Sequence, residues 1–413
     1  MRGLTIDRTL VITILLLIIF GVLNLYSAGQ TDVPTQSIGV WKRQLVWLLI
    51  GGVACYLMFR TSPRLLEWAA PWVYAFALLL LAITLVIGTG QGTAASTRSW
   101  ISIGGHQLGQ PAELAKVAVV LMLARYLSSR REAPISMREL IVPCLIAGVP
   151  FLLVLKQPDL GSALVFIGIL FAMLFWAGVR PYLLILLASP VVSLLAAFTT
   201  WSWVAWMVLL TVMLIIWRPF VFEAVFVWIV NAGMGFIAMP LWNRLEPYQQ
   251  NRLLTFLNPE IDPKAAGYHA IQSKVAIGSG GLLGNGWLEG PQKRLAFLPT
   301  PSTDFAFTVV GEELGFVGVT VALVLFLVVF MSMVRIARRA SDPFSSLLVF
   351  GVLGMLFTHV WENVGMTVNI MPITGIPLPF FSYGGSFLLA CALGLGMVLR
   401  VAWDSRMSGY IEA

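Results

Sequence analysis

The sequence predicts an all-α polytopic membrane protein, and its composition and the lengths of its apolar runs carry that prediction. Of the 413 residues 59% are hydrophobic and only 11% are charged, whereas a soluble domain has roughly 25% charged residues. Apolar runs of about 20 residues, the length of a membrane-spanning helix, recur along the chain. A water-soluble globular fold is therefore excluded.

About twelve such runs are predicted to be transmembrane helices. They lie at 9–28, 43–59, 69–88, 113–128, 138–155, 161–178, 182–199, 201–217, 220–240, 309–334, 345–368 and 385–402. The first is interpreted as a retained helix, because no soluble region follows that secretion could deliver. Residues 1–413 are expected to form a single integral membrane domain.

The basic residues predict the orientation of these helices. The chain carries 26 Lys and Arg against 19 Asp and Glu, a net charge of +7. With a cytoplasmic N-terminus, fifteen of the 26 basic residues fall in short inside segments, which the positive-inside rule favours. Both termini are therefore expected in the cytoplasm. Because the basic residues mostly border apolar runs, no nucleic-acid partner is expected.

Three outside segments differ from the other connections: 89–110, 156–160 and 241–308. The third is polar and rich in proline and glycine, yet it carries enough aromatic and aliphatic side chains to bury a small core. An ordered extracytoplasmic cap over 241–308 is expected. Acids, amides and glycines concentrate in these segments, so function is expected to face outward.

The first outside segment leads into a helix start with two opposite charges. Arg98 and Trp100 precede Gln110, which stands just before the helix. Glu113 and Lys116 are three residues apart and share one helix face. They could form a structural ion pair at membrane depth or bind a ligand directly, and the sequence leaves both alternatives open.

The second outside segment places Lys156, Gln157 and Asp159 between two spans. Asp159 is interpreted first as the cap of the helix that follows it. Lys156 could instead join Arg98 and Lys116 in a cationic pocket suited to a phosphate or pyrophosphate.

The long segment ends at an acid, Asp304, beside the next span. Asp304 could cap a helix starting at Phe305 or act as a general base, which needs a carboxylate within hydrogen-bond reach of a substrate hydroxyl.

The glycine run at 278–286 lacks the Lys-Ser/Thr of a phosphate loop and is interpreted as tight turns. The last outer loop, 372–386, combines prolines, glycines and hydroxyls, and is expected to line one wall of a site.

Motifs spread over the chain resemble, in order, the SEDS family of bacterial cell-wall glycosyltransferases. They are Arg98-x-Trp100-Ile101, Gln110-Pro111-x-Glu113-x-x-Lys116, Gln157-Pro158-Asp159-Leu160-Gly161, the stretch from Gly267 to Gly281, Thr303-Asp304-Phe305, Glu312-Glu313-Leu314-Gly315, and the stretch from Gly375 to Ser386. The stretch that begins at Gly267 looks more like the elongation (RodA-like) branch than the division (FtsW-like) branch.

The resemblance implies a peptidoglycan polymerase that joins lipid II units into a β-1,4 glycan at the outer face of the cytoplasmic (inner) membrane, releasing undecaprenyl pyrophosphate. Asp304 matches the family's proposed catalytic acid. The resemblance implies no nucleotide or organic cofactor, leaves room for a divalent cation (Mg²⁺ or Mn²⁺), and implies a class B penicillin-binding protein as partner. The residues expected to bind substrate or pyrophosphate are Arg98, Trp100, Gln110, Glu113, Lys116, Lys156, Gln157, Asp159, Tyr268, Gln272, Ser273, Lys274, Ser382 and Tyr383.

Two departures from the family pattern bear on function. Thr300 and Ser302 stand where members commonly carry a glutamate and a histidine, so Asp304 would act with fewer polar neighbours. Where the family has ten spans, this chain has two more apolar runs at about 182–217, predicted to form a supporting hairpin at the bundle periphery. A noncatalytic scaffold for a penicillin-binding protein and a lipid or solute transporter are the alternatives.

Overall fold

The computed structural model describes residues 7–90, 99–103, 106–245, 250–251, 254–256, 266–298 and 300–411. The helices and strands in these ranges are, in chain order, α1 (Arg8–Ala28), α2 (Val40–Arg60), α3 (Pro63–Ile87), β1 (Ile101–Ile103), β2 (His106–Gly109), α4 (Pro111–Ser128), α5 (Ile141–Leu155), α6 (Leu160–Trp176), α7 (Pro181–Ala196), α8 (Thr200–Trp217), α9 (Val221–Trp242), α10 (Ala266–Gly280), α11 (Pro291–Arg294), α12 (Ala306–Arg338), α13 (Pro343–Thr367) and α14 (Gly385–Ile411). A turn of 3₁₀ helix, Arg138–Leu140, leads into α5.

Each apolar run that was predicted to span the membrane lies in a helix. Nine helices of the described ranges are long and apolar enough to cross a membrane, and α6 and α7 are shorter apolar helices. The twelfth, α4, has 18 residues and carries Glu113, Lys116 and Arg125. The prediction of an all-α polytopic membrane protein with about twelve spans is confirmed.

Short polar side chains begin several of these helices. Ser62 and Asp342 each precede a proline at the first helical position and accept a hydrogen bond from a backbone N–H three residues on. Such a cap satisfies an N–H that the helix itself leaves unpaired, and proline has none to satisfy at that position. These dipeptides therefore define sharp helix starts after short connections.

The centre of the bundle is built around α13 and α14. In their most apolar windows 78% of α13 and 72% of α14 are buried, against 11% of α2. Helix α13 packs against α4, α6 and α12, and α14 packs against α2 and α4. A polar side chain on α13 is therefore enclosed by protein rather than lipid. Its burial destabilises the fold unless it has a hydrogen-bond or ion-pair partner.

The two additional runs form a hairpin, α7 and α8, which packs with α9 around an apolar cluster separate from the main core. That cluster comprises Leu186, Met207, Leu210, Leu214 and Val227. Asn231 on α9 lies inside this group, donates to Ser189 Oγ at 2.8 Å and accepts at its backbone oxygen from Ser193 Oγ at 2.7 Å. The predicted peripheral hairpin is thus present, and a buried amide joins it to α9.

A small β-hairpin between α3 and α4 was not predicted. Strand β1 pairs antiparallel with β2, Ile103 opposite His106, and Thr89 bridges to Trp100 beside them. The sequence did contain the signal, because Ile101, Ser102 and Ile103 alternate apolar and polar residues ahead of a Gly-Gly pair. The strands are short enough to be missed by a search for membrane-length runs.

Helix α12 is kinked at Gly315, where φ is 61° and ψ is −158°. The glycine run docks against the kink: the N–H groups of Phe316 and Val317 donate to the carbonyls of Gly281 and Leu282 at 2.9 and 3.1 Å. Because positive φ at Gly281, Gly284 and Gly286 turns the run back on itself, its interpretation as tight turns is confirmed. Helix α10, which precedes the run, packs on α12 and α13.

Candidate functional site

Polar side chains of distant segments meet at the end of the bundle where α4, α6, α12 and α14 begin, here called the site end. Two loops form its walls: residues 300–305, before α12, and residues 374–384, between α13 and α14. Tyr383 N–H donates to Ser302 O at 2.8 Å, and Ser382 Oγ donates to Thr303 O at 2.5 Å. Ser382 Oγ also accepts from Leu378 N–H at 2.8 Å. The predicted residues Ser382 and Tyr383 therefore join the two loops.

Asp304 lies on the first of these loops and is partly exposed. Helix α12 begins at Ala306 with Phe305 in the cap position, so the interpretation of Asp304 as a helix cap is wrong by one residue. The next side chain, Phe305, is 1% exposed and packs with Ala28, Leu298 and Val309. This anchor leaves the Asp304 carboxylate beside the second loop, where a Cβ on Gly375 would lie 3.5 Å from Asp304 Oδ2.

Lys116 is enclosed in the bundle just below these loops. Its side chain is 0% exposed, and its Nζ lies 2.8 Å from Glu113 Oε1 and 3.0 Å from His359 Nε2. The ion pair that the sequence left open is thus formed. Because protein surrounds it, Lys116 holds a positive charge at the base of the site end and does not present it at the surface.

Asp159 has two partners. Its Oδ1 accepts from Ser162 N–H at 3.0 Å, which confirms it as the cap of α6, and its Oδ2 accepts from Gln110 Nε2 at 2.6 Å. Gln157 is buried and donates to Leu81 O at 3.1 Å, whereas Lys156, which ends α5, is exposed. The second outside segment therefore joins α4 to α6 through Gln110 and Asp159, and it leaves the Lys156 side chain exposed.

The polar stretch on α10 divides between packing and exposure. Ser273 is buried, lies 2.8 Å from Thr308 Oγ1, and donates to Thr367 O at 2.7 Å. Tyr268 and Gln272 are partly exposed, and Lys274 is exposed. Of the four residues predicted on this helix, Ser273 thus holds α10 to α12 and α13, and the other three reach its surface.

Two buried polar residues, Lys293 and Ser27, were not predicted from the sequence, and their partner Glu313 and its neighbour Glu312 were named only as part of a family motif. Lys293 on α11 is 0% exposed and forms an ion pair with Glu313, and Ser27 hydrogen bonds to both. Glu312 accepts from Gln292 N–H at 2.6 Å. The paired glutamates at the start of an apolar helix were the available signal, since carboxylates at such a depth require a partner.

The remaining predicted residues contribute less to the described geometry. Trp100 is partly buried, and its backbone pairs with Thr89 beside the β-hairpin. Arg98 lies outside the described residues. Among the ranges that the structure covers, no group of three or more His, Cys, Asp or Glu could hold a metal ion.

The fold and the site define a polytopic helical membrane protein with a buried polar centre at one end of its bundle. The FtsW/RodA/SpoVE family model, described as cell cycle protein, matches residues 7–205 and 202–407. The chain is 35% identical to the peptidoglycan glycosyltransferase MrdB of Escherichia coli K12, over 97% of this chain and 94% of that one. It is 36% identical to the peptidoglycan glycosyltransferase RodA of Treponema pallidum, over 96% and 97%.

Solved structures agree with these relatives. The chain superposes on a component of a peptidoglycan synthase complex, described as coordinating polymerization and crosslinking, with a TM-score of 0.71, 32% identity, and coverage of 98% and 99% of the two chains. It superposes on the rod shape determining protein RodA of Thermus thermophilus with a TM-score of 0.63, 28% identity, and coverage of 98% and 99%. This chain belongs to the FtsW/RodA/SpoVE, or SEDS, family of cell cycle proteins, and its RodA-like character is confirmed.

Proposed function

We propose that this protein is a peptidoglycan glycosyltransferase that joins lipid II units into β-1,4 glycan strands and releases undecaprenyl pyrophosphate. One observation of the structure supports it above the others: Asp304 is partly exposed on a loop that hydrogen bonds tie to a second loop at the site end. A partly exposed carboxylate on a loop held in place by hydrogen bonds can serve as the general base that an inverting transfer to a sugar hydroxyl requires.

The step proposed for Asp304 is a proton transfer coupled to substitution. The acceptor 4-hydroxyl attacks the anomeric carbon of a lipid-linked sugar, the C1–O bond to pyrophosphate breaks, and the hydroxyl proton passes to the Asp304 carboxylate. Asp304 then returns the proton to solvent. Because the new bond forms opposite the leaving group, the configuration at C1 inverts.

The departing pyrophosphate needs positive charge near it. Lys156 is exposed at the rim and can contact a phosphate directly. Lys116 is enclosed between Glu113 and His359, so its charge acts across the site end rather than by contact. Arg98 is assigned the same task as Lys156 on the family resemblance alone. No step is derived through a divalent cation, and a role for Mg²⁺ or Mn²⁺ stays a prediction.

We also propose the cellular setting. The multiple apolar helices of the described ranges and the family make this a bacterial integral membrane protein. We place it in the cytoplasmic (inner) membrane with both termini inside and the site end outside. A neighbour of known structure belongs to a complex that coordinates polymerization and crosslinking. On that basis we expect a class B penicillin-binding protein as the partner, with its crosslinking domain beside the site end.

Lipid II polymerisation by the purified protein, with and without a class B penicillin-binding partner, tests this function. The Asp304→Asn variant removes the base and nearly preserves shape, and we expect no glycan from it. The matched control is Asp342→Asn, the same chemical change at the cap of α13, where asparagine caps as well as aspartate; it should polymerise like the wild type. Equal product from Asp304→Asn and the wild type would remove Asp304 from the mechanism. No product from wild type with its partner would favour a noncatalytic scaffold.

A further inference from the structure

Helix α13 presents two buried polar side chains, His359 and Asn363, one helical turn apart on the same face. Both are 0% exposed. Neither takes part in the proton transfer or in charge stabilisation described above. In a helix this deeply buried, each side chain would destabilise the fold unless it formed hydrogen bonds with other parts of the protein.

Asn363 connects α13 to both walls of the site end. Its Nδ2 donates to Asp304 O at 2.9 Å and to Ile376 O at 2.7 Å. An amide nitrogen carries two hydrogens, so both are used, and each binds the backbone of a different loop. A single side chain, Asn363, therefore holds the backbone of Asp304 at a fixed position relative to the second loop.

His359 makes the equivalent connection one turn away. Its Nε2 faces the Lys116 ammonium at 3.0 Å, and its Nδ1 faces Pro377 O at 3.2 Å. An ammonium only donates, so Nε2 accepts, and the ring proton on Nδ1 is donated to the carbonyl. His359 thus connects the buried Lys116 to Pro377 O. Pro377 directly follows Ile376, whose carbonyl accepts from Asn363.

We propose that His359 and Asn363 are positioning residues: together they hold Asp304, the 374–377 backbone and Lys116 at fixed positions on one helix face for glycosyl transfer. The proposal rests on the function proposed above. Asn231, an equally buried amide on α9, bonds to its own helix and to the neighbouring α7. Asn363 and His359 instead bind the successive carbonyls of Ile376 and Pro377 in the second loop. Asn363 also binds the backbone carbonyl of Asp304, and His359 also contacts Lys116.

Asn363→Ala tests the first half, because it deletes both donors and adds no charge. Without the amide, Asp304 O and Ile376 O lose their shared donor, and we expect kcat for glycan formation to fall by about 10- to 100-fold with KM little changed. Asn231→Ala is the matched control: it removes an equally buried amide from α9, lowers stability, and should leave kcat of the folded protein near that of the wild type.

His359→Gln and His359→Phe test the second half. Glutamine can accept from Lys116 or donate to Pro377 O, whereas phenylalanine can do neither, so the expected order of kcat is wild type, Gln, Phe. Trp361→Leu, at a side chain that is 58% exposed on the other side of α13, should have no such effect. Equal rates for the Gln and Phe variants, or a loss that appears only in KM, would overturn the positioning role of His359.

Hydrogen exchange provides a readout that does not depend on activity. In Asn363→Ala the backbone amides of 303–305, 374–376 and 378 should exchange about tenfold faster or more, while those in the middle of α13 stay protected. Unchanged exchange in both loops with a wild-type kcat would overturn the proposal. If the wild type made no glycan, the proposed function would fail, and faster loop exchange would still show that Asn363 holds the two walls together.

Discussion

Replacing Lys293 with methionine should open the contact between α11 and the start of α12. Lys293 and Glu313 are 0% and 2% exposed in their side chains, and they form an ion pair. Ser27 Oγ accepts from Lys293 Nζ at 2.9 Å and donates to Glu313 Oε1 at 2.6 Å. Methionine is unbranched like lysine and one atom shorter, and it removes the charge and the donors, so Glu313 retains the hydroxyl of Ser27 as its side-chain partner.

The expected cost follows from that geometry. Removing one member of a buried ion pair leaves the other charge without compensation, which costs about 3–5 kcal/mol. Glu313→Gln should cost a similar amount, because the buried ammonium then loses its counter-charge. Removing both charges, in Lys293→Met with Glu313→Gln, leaves no uncompensated ion, and the double variant should cost clearly less than the sum of the two single variants.

The assay is hydrogen exchange in detergent or nanodiscs, read at the amides of 292–298 and 312–316, because these report opening of this region rather than of the whole bundle. The Arg294→Gln variant is the control: its ion pair with Asp32 is about half exposed and should contribute at most about 1 kcal/mol. The reasoning would be refuted if the double variant lost as much stability as the two single variants together. It would also be refuted if Lys293→Met exchanged like Arg294→Gln.

Three further outcomes follow from the backbone and from the peripheral helices. Gly315→Ala places a Cβ against the backbone of Gly284 at a φ and ψ that only glycine adopts readily, so it should lower the thermal midpoint by more than Gly278→Ala, whose Cβ meets nothing. Gly375→Ala, at φ 74°, should cost about 1–2 kcal/mol and slow glycan synthesis, because the strain falls on the loop that faces Asp304; wild-type polymerisation would contradict this. Asn231→Leu removes the donor to Ser189 Oγ on α7 and the acceptor of Trp206 Nε1 on α8, and it should cost about 1–3 kcal/mol of stability. The measurement is a lower thermal midpoint with polymerisation by the folded protein retained, and an unchanged midpoint would show that the amide contributes nothing.

Much of the fold could be read from the sequence because the membrane imposes it. A helix in lipid must satisfy its own backbone and be apolar over about 20 residues, and both demands are local. The additional hairpin, α7 and α8, was found for the same reason, and the cap at Asp159 because an acid before an apolar run satisfies a nearby N–H. The β-hairpin before α4 was missed since its strands have only three and four residues.

The site was only partly predictable. Glu113 and Lys116 lie one turn apart, so their pairing follows from helical spacing. His359 is 243 positions from Lys116 in the chain, and no spacing rule connects them. Lys293 stands in a polar segment that resembles an exposed loop, and its burial against Glu313 and Ser27 arises when α11 folds onto α1 and α12.

The sequence alone therefore determined the class of protein, the number of spans, and the residue types available for chemistry, because hydropathy and helical period act within a few turns. The tertiary structure decided which of those residues share a site. In the folded protein Lys116 is buried, Lys156 is exposed, and the backbone carbonyl of Asp304 accepts a hydrogen bond from Asn363. Those outcomes depend on which helices pack together, and packing joins residues that are far apart in the chain.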